Sequence, residues 1–219
     1  ARLEAISGPD FRAVVRQAKD QVFPAVVFIK CIRESMESGK KISTEVAGSG
    51  VIVSPKGEVV TNWHVVDKAT EVRCLLLDGR ALTATVVGTD KDTDLGLLQL
   101  SLGEKSAPVP FAKFGQSDRL NEGDFVMACG APWGLSRSVS IGIISCTRRY
   151  LSDHSEYSLW LQTDASISPG NSGGPLVGTD GRIVGIISIG DVLNAIIAEQ
   201  DEALLRMERA AQGETDLLA

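Results

Sequence analysis

A serine flanked by glycines is the first feature of the chain that could carry out covalent chemistry. Ser172 lies in the run Gly170-Asn171-Ser172-Gly173-Gly174. A serine hydroxyl becomes a useful nucleophile when a base removes its proton and N–H donors receive the developing oxyanion. Glycines allow the tight backbone geometry that presents such donors. The run predicts a nucleophile at Ser172 and an oxyanion hole built from Gly170, Asn171 and Ser172. A glycine-rich turn between two strands is the alternative.

The base for such a serine would be one of the two histidines. His64 follows an apolar segment in Thr61-Asn62-Trp63-His64-Val65-Val66. His154 lies in the polar run Ser152-Asp153-His154-Ser155-Glu156, which is typical of a solvated loop. We therefore expect His64 to be the general base.

A carboxylate should lie buried beside the imidazole, where it fixes the tautomer and stabilises the imidazolium. Asp94 adjoins the apolar run Leu95–Leu100, whereas Asp90 and Asp92 lie in the polar turn before it. Asp94 is the predicted third member of the catalytic triad.

The order of these residues separates three hydrolase folds. The glycine-flanked serine also satisfies G-x-S-x-G, the nucleophile elbow of α/β-hydrolases, but that fold places its histidine after the serine. No histidine follows Ser172. The order His64, Asp94, Ser172 matches chymotrypsin-like double barrels and differs from subtilisin-like proteins, in which the acid comes first.

The elements around these residues read as mostly β. Pro9 to Asp20 predicts a short helix, with apolar residues on one face. Short Val-, Ile- and Leu-rich runs separated by Gly, Pro, Asp and Ser then predict an all-β sandwich or barrel. The predicted strands are Ala25–Ile32, Ser49–Val53, Val59–Asn62, Glu71–Leu77, Ala81–Gly88, Leu95–Leu100, Phe125–Ala131, Val139–Thr147, Leu159–Thr163, Pro175–Val177 and Ile183–Ile189. An amphipathic helix is predicted over about 192–211.

The composition of the chain limits the classes of partner and ligand that we expect it to bind. With 219 residues, 43% of them hydrophobic, the chain can bury a large core, and a net charge of −6 gives no electrostatic reason for a nucleic-acid partner. No apolar run reaches the length of a membrane span. Four cysteines in strand-like segments, without C-x-x-C spacing, favour buried free thiols over a disulfide or metal site. We expect no metal and no cofactor.

Four segments together resemble the HtrA/Deg family of serine proteases over about residues 11–189. The segments are Thr61–Val66, Asp94-Leu95-Gly96-Leu97-Leu98 with Gly130-Ala131-Pro132-Trp133-Gly134, and Leu161 to Leu176. The resemblance implies two six-stranded antiparallel trypsin-like barrels and cofactor-free, ATP-independent cleavage of unfolded or damaged polypeptides. It also implies a homotrimer, an extracytoplasmic location and regulatory loops that can hold the site inactive. Phe11 and Phe23 are candidates for trimer contacts, with ordinary core packing as the alternative.

The resemblance also suggests a substrate pocket. Ser166 stands six residues before the nucleophile, where trypsin-like enzymes carry an aspartate. Ile167 and the run Ile187-Ser188-Ile189 would make the pocket uncharged and apolar. This predicts cleavage after small or medium aliphatic residues and not after Lys or Arg.

The end of the chain departs from the family. A loop and a strand that normally follow Ile183–Ile189 in the family are missing from the pattern, so closure of the second barrel is in question. The PDZ domain that often follows in this family is not found before Ala219, and we expect either a protein without that domain or a fragment. Gly181 to Leu193 also resembles the last strand and helix start of a CBS module, but one half-motif is weak support for nucleotide binding. We predict one protease domain over 1–219: an N-terminal barrel over about 22–100, a linker over 101–121, a C-terminal barrel over 122–190, and the helix. A latent or non-catalytic holdase for unfolded chains is the alternative function.

Overall fold

The computed structural model describes residues 10–37, 40–103, 107–134, 136–151 and 158–188. His154, Ile189 and the helix expected over 192–211 lie outside the described residues.

Two helices and eleven strands make up the described secondary structure, apart from short 3₁₀ turns. The helices are α1 (Asp10–Val22) and α2 (Trp63–Val66). The strands are β1 (Val26–Glu37), β2 (Lys40–Ile52), β3 (Glu58–Asn62), β4 (Ala69–Leu75), β5 (Ala81–Asp90), β6 (Leu95–Leu100), β7 (Phe125–Gly130), β8 (Ser138–Tyr150), β9 (Leu159–Thr163), β10 (Pro175–Gly178) and β11 (Ile183–Ile186). Each predicted strand has its counterpart here.

The first six strands close into a barrel in the order β1-β2-β3-β6-β5-β4, with antiparallel pairing throughout. Side chains alternate between the inside and the outside of a strand. In β6, Gly96, Leu98 and Leu100 are accordingly buried while Leu95 is exposed. Closure removes the exposed edges that an open sheet would present to solvent.

The second unit is a curled sheet in the order β11-β10-β7-β8-β9. Val126, Ile144 and Leu176 belong to its own small hydrophobic cluster. The mostly-β fold class is therefore confirmed, with one closed barrel and, within the described residues, five strands of the second unit. The described residues end at Ser188. The segment from which the family's further strand is missing comes after that point, so closure of the second barrel stays a prediction.

The described residues of the connection between the two units form no regular strand, but they are hydrogen-bonded to both units. Ala112 N–H donates to Ile52 O at 2.9 Å on the first barrel. Gly115 N–H donates to Ile183 O at 2.7 Å, and Ile183 N–H donates to Lys113 O at 2.9 Å on the second sheet. These bonds hold the two units against each other, and the candidate site lies between them.

The four cysteines are free thiols, as the sequence predicts. Cys31, Cys74 and Cys129 are buried. Burial raises the pKa of Cys31 to about 11 and those of Cys74 and Cys129 to about 12. These three thiols are therefore protonated at neutral pH and pack as small apolar side chains.

Candidate active site

The buried polar side chains of the described residues form one cluster between the two β units. Its members are Ser49, Thr61, Asn62, Asp94, Asn171 and Ser172. Burying a polar group is costly unless it is hydrogen-bonded. A cluster of this kind within an otherwise apolar core is therefore the first place to look for chemistry.

His64 and Asp94 form a close pair. The short helix α2 begins at the end of β3 and presents His64, and Asp94 precedes β6, the neighbouring strand. His64 Nδ1 lies 2.8 Å from one carboxylate oxygen of Asp94 and 3.0 Å from the other. The backbone N–H of His64 donates to the same carboxylate at 3.0 Å. An Nδ1 proton bonded to Asp94 leaves Nε2 with its lone pair, so the ring can accept a proton there.

The main chain of Asp94 is held as tightly as its carboxylate. Its φ of 52° lies in the left-handed region, which costs energy for a residue other than glycine and is common at functional sites. Its carbonyl accepts from Trp63 N–H and from Asn62 Nδ2, each at 3.0 Å. These two bonds fix the turn that points the carboxylate at His64.

The carboxylate of Asp94 stays ionised despite its burial. Burial alone would raise its pKa, but hydrogen bonds from the ring and backbone of His64 and from Ser188 outweigh this effect. The net pKa lies below the ordinary value of an aspartate. The group is therefore a fixed negative charge at neutral pH, as an orienting acid must be.

Two consecutive tight turns form the loop of Ser172, which lies in the second of them. Asn171 N–H donates to Ser168 O at 3.0 Å, with Pro169 and Gly170 (φ 94°) in the central positions. Gly174 N–H donates to Asn171 O at 2.9 Å, with Ser172 and Gly173 (φ 85°) in the centre. A positive φ at the third position is the mark of a type II turn and explains the glycines.

The loop of Ser172 packs against the strands that lead to His64. Ser49 N–H, on β2, donates to Ser172 O at 2.8 Å. A Cβ atom at Gly173 would lie 2.1 Å from Ser49 O and 2.3 Å from Thr61 Oγ1, so only glycine fits this contact. Thr61 is on β3, three residues before His64. The structure thus brings the predicted nucleophile loop to the strand that carries the predicted base.

Asn171 is used within this loop. Its backbone N–H is engaged in the first turn, and its Oδ1 accepts from Ser138 Oγ at 3.1 Å. The side chain packs so closely on Gly130 that a Cβ there would lie 2.3 Å from Oδ1. Asn171 therefore shapes the loop, and its backbone donor is directed to Ser168.

Comparison with known proteins places this arrangement in a family. The sequence-family model described as the trypsin-like peptidase domain matches residues 48–186. This match covers more than half of the chain and includes His64, Asp94 and Ser172. The chain belongs to the trypsin-like peptidase domain family.

The relatives of this trypsin-like peptidase domain are HtrA-type proteins. A protein of Chlamydia pneumoniae named "Probable periplasmic serine endoprotease DegP-like" is 43% identical over 141 residues, which cover 64% of this chain and 28% of that protein. A Pseudomonas fulva protein of the same name is 42% identical over 150 residues, 68% of this chain and 30% of that protein. The chain thus spans less than a third of the length of these relatives.

Solved structures agree with the fold. The HtrA-type protease AlgW with a tripeptide has a TM-score of 0.68 and 34% identity, covering 84% of this chain and 62% of that chain. The same protease with a decapeptide gives a TM-score of 0.67 and 30% identity, covering 84% and 66%.

A cavity of about 410 Å³ in the trypsin-like peptidase domain lies beside Asp94. Of the predicted substrate-binding residues, Ile167, Ile187 and Ser188 line it. Ser166 is exposed and is not part of its lining, and Ile189 lies outside the described residues. None of the described lining residues is acidic, but Arg149 is among them, so the lining is not uncharged as the sequence analysis expected.

Ser188 has a second contact that its sequence position did not reveal. Its hydroxyl donates to Asp94 Oδ2 at 2.8 Å across 94 residues of sequence. The neighbouring Ile187 exchanges backbone bonds with the nucleophile loop, accepting from Gly173 N–H and donating to Gly174 O, each at 2.8 Å. The segment after β11 therefore supports both the acid and the loop of Ser172.

Two further residues at the site escaped the sequence analysis. Arg33 on β1 donates from Nη2 to His64 O at 2.5 Å. Ser49 is buried with no exposed surface and contacts the nucleophile loop. The only signal for Ser49 was its place between Gly48 and Gly50, and Arg33 had none, because its partner is distant in sequence.

No helix within the described residues is long and apolar enough to cross a membrane.

Proposed function

We propose that this chain is the peptidase part of an HtrA-type serine endopeptidase. The observation that carries the proposal is the His64–Asp94 pair, at 2.8 Å from Nδ1 to the carboxylate, with the glycine-flanked Ser172 loop packed against β2 and against β3, the strand that leads to His64. The His64–Asp94 pair comes from the first β unit and the Ser172 loop from the second. We therefore also propose that the barrel over about 22–100, the linker over 101–121 and the unit over 122–190 form one domain.

In the proposed reaction, Ser172 Oγ adds to the carbonyl carbon of a peptide bond while its proton passes to Nε2 of His64. Asp94 holds the ring through Nδ1 and stabilises the imidazolium that forms. His64 then donates the proton to the leaving amine, and the acyl group stays on Ser172 until water, activated by His64, releases it. Acyl transfer of this kind needs no metal or organic cofactor.

The carbonyl oxygen becomes an oxyanion during both steps. The predicted donors are the backbone N–H groups of Gly170 and Ser172, which lie two residues apart on consecutive turns. Preorganised donors of this kind are each worth about 10²- to 10³-fold in kcat. Asn171, whose N–H serves the turn, contributes by holding those two donors in place.

The expected substrates are unfolded polypeptides cleaved after small or medium aliphatic residues. The support is the cavity beside Asp94, with Ile167 and Ile187 in its wall and no acidic residue among the described lining residues. Without a carboxylate, a buried Lys or Arg side chain would lose its hydration uncompensated. A peptide library should therefore show kcat/KM for Val, Ala or Ile at the cleaved position at least about 100-fold above Arg or Lys, from a desolvation cost of several kcal/mol. A preference for Arg or Lys would refute this pocket assignment.

The central test is Ser172-dependent chemistry. Wild-type protein should react with a fluorophosphonate probe and degrade unfolded β-casein, and Ser172→Ala should do neither. Ser166→Ala is the matched control, because it removes an exposed serine of the same segment and should leave labelling intact. Absence of labelling and cleavage in every assembly state would favour the alternative, a holdase that binds unfolded chains.

A homotrimer and an extracytoplasmic location complete the proposal. The location is supported by relatives named as periplasmic endoproteases. Within the chain, the Phe11 ring lies 5.1 Å from the Phe125 ring, and Phe23 packs against the main core. Trimer contacts would therefore use surface beyond these two rings, and sedimentation equilibrium would test the assembly.

A further inference from the structure

Ser49 stands out among the buried side chains because the proposed reaction leaves it without a role. It lies on β2, far in sequence from Ser172, and none of its surface is exposed. Its neighbours on the strand are glycines, and both need to be, since a Cβ at Gly48 would lie 2.8 Å from Val65 and one at Gly50 would lie 2.7 Å from Ile29. The strand is thus packed too tightly for Ser49 to turn away.

The Ser49 hydroxyl links the two β units. It donates to Gly170 O at 2.6 Å and accepts from Ala131 N–H at 2.8 Å. Ala131 directly follows β7 of the second sheet, and Gly170 is in the first turn of the nucleophile loop. A hydroxyl that donates and accepts at once is polarised by its donor, which strengthens the bond it gives.

The backbone of Ser49 makes two more contacts with the same region. Its N–H donates to Ser172 O at 2.8 Å, and its carbonyl accepts from Thr61 Oγ1 at 2.7 Å. One buried residue of the first barrel is therefore bonded to both residues whose N–H groups are the proposed oxyanion donors.

The bond to Gly170 O fixes the peptide plane between Gly170 and Asn171. The carbonyl side of that plane is held by Ser49 Oγ and the N–H side by Ser168 O at 3.0 Å. The preceding residue, Pro169, has its φ fixed by its ring. Gly170 alone could rotate easily, because it lacks a Cβ. With both neighbours constrained, the Gly170 N–H points in one direction.

We propose that Ser49 is a positioning residue for the oxyanion hole, acting through its hydroxyl bond to Gly170 O. This role rests on the proposed function, because it matters only if Ser172 attacks a carbonyl. Ser49 does not touch substrate. Its removal should therefore weaken binding of the oxyanion and leave binding of the uncleaved substrate nearly unchanged.

The test compares Ser49→Ala with Ser49→Thr, which restores a hydroxyl, and with Thr163→Val. The last variant is a matched control, since it also removes a hydroxyl that donates to a carbonyl and accepts from an N–H, but this half-buried hydroxyl bonds to Ile143 O and Ala165 N–H and not to the oxyanion loop. Four quantities are measured: kcat and KM on a peptide substrate, Ki for a peptide aldehyde, and Kd of the substrate in the Ser172→Ala background. Ser172 Oγ adds to the aldehyde carbon and passes its proton to His64, so the aldehyde oxygen becomes an oxyanion in the proposed hole.

Ser49→Ala should lower kcat and raise the aldehyde Ki by about 10- to 100-fold, less than loss of a donor itself. KM and the substrate Kd should change by less than about threefold, as expected when only transition-state binding is lost. Ser49→Thr should recover most of the loss. Thr163→Val should also lower the melting temperature, but should change the ratio of aldehyde Ki to substrate Kd by less than about threefold.

Other outcomes overturn the role. Equal changes in that ratio for Ser49→Ala and Thr163→Val would mean that general loosening of the fold, and not the bond to Gly170 O, weakens oxyanion binding. A rise in KM at constant kcat would place Ser49 in substrate binding. If Ser49→Ala does not fold, Ser49→Cys replaces it, because a thiol is similar in shape and only a weak donor. The same quantities are then measured, and the same outcomes overturn the role. Absent Ser172-dependent labelling of the wild type would remove the proposed function and this role together, whereas labelling with an unchanged ratio would remove this role alone.

Discussion

Replacing Asp94 by Asn tests the proposed triad most directly. Asn keeps the size of the side chain but replaces one acceptor oxygen with an NH₂ donor. The carboxylate of Asp94 currently accepts from His64 Nδ1 at 2.8 Å, from His64 N–H at 3.0 Å and from Ser188 Oγ at 2.8 Å. An amide has only one oxygen and cannot accept all three of the hydrogen bonds that the two carboxylate oxygens accept. At least one of the three donors must therefore change its partner.

The His64 ring is the partner that adjusts at least cost, since it can shift its proton. If the new NH₂ donates to Nδ1, the ring proton moves to Nε2, which can then no longer accept the proton of Ser172. A wrong tautomer of this kind costs about 10³- to 10⁴-fold in kcat in the serine-protease triad. This corresponds to about 4–5 kcal/mol of lost transition-state stabilisation. KM should stay within about threefold, because the substrate does not touch Asp94.

The assay is steady-state cleavage of a peptide substrate, with active-site titration to count competent enzyme. Asp92→Asn is the matched control: it makes the same substitution in the same turn on an exposed side chain, and should leave kcat within about twofold. If Asp94→Asn kept more than a tenth of wild-type kcat in a folded protein, Asp94 would not be the orienting acid.

Three further outcomes follow from the same contacts. Ser188→Ala should lower kcat by about 3- to 30-fold and stability by about 1.5–3 kcal/mol, the worth of one hydrogen bond to a charged group. An unchanged pH–rate profile and kcat would contradict the Ser188–Asp94 bond. Gly173→Ala should destabilise the protein by more than about 3 kcal/mol and abolish cleavage. Gly79→Ala, with a similar φ of 88° and open space around it, should cost only about 1–2 kcal/mol. Equal losses of stability in denaturant melts would show that the contact with Ser49 O is unimportant. The pKa of Asp94 is lower in the folded state than in the unfolded chain, so its stabilisation is present above about pH 4 and is lost as pH falls through the folded pKa. Urea midpoints measured between about pH 2.5 and 6 should therefore fall less steeply in Asp94→Asn than in the wild type, and parallel curves would count against this shift.

The sequence predicted the strands well because alternation and turn residues are local signals. Leu95–Leu100 and Leu159–Thr163 were predicted to the residue, since Gly, Asp, Pro or Ser residues lie close to their ends. The hairpin of β1 and β2 is longer than predicted. Its outer part pairs Arg33 with Thr44 and Glu34 with Ser43, and the polar side chains there carry no apolar period. Pairing between the two strands, and not side-chain pattern, forms that extension.

The candidate site divides in the same way. Ser172, His64 and Asp94 could be selected because each lies in a short motif whose residue types suit one chemistry. Ser188 was selected for the pocket wall, and its bond to Asp94 was not foreseen. The residues joining them are single serines or arginines with distant partners, such as Ser49 with Gly170, 121 residues apart. A single polar side chain gives no periodic signal, and its hydrogen-bond partner is set by the packing of two β units.

The sequence alone therefore determined which residues have the chemistry for acyl transfer and in which order the chain presents them, because glycines, a histidine and an aspartate next to apolar strands are informative within a few residues. Only the tertiary structure decided how the site is held. It placed Asp94 in a left-handed turn bonded to Asn62, put the Ser188 hydroxyl on its carboxylate, and pressed Gly173 against Ser49. These contacts depend on closure of the first barrel and on its packing against the second sheet. Distances across such an interface depend on every strand between the partners, so no local stretch of sequence contains them.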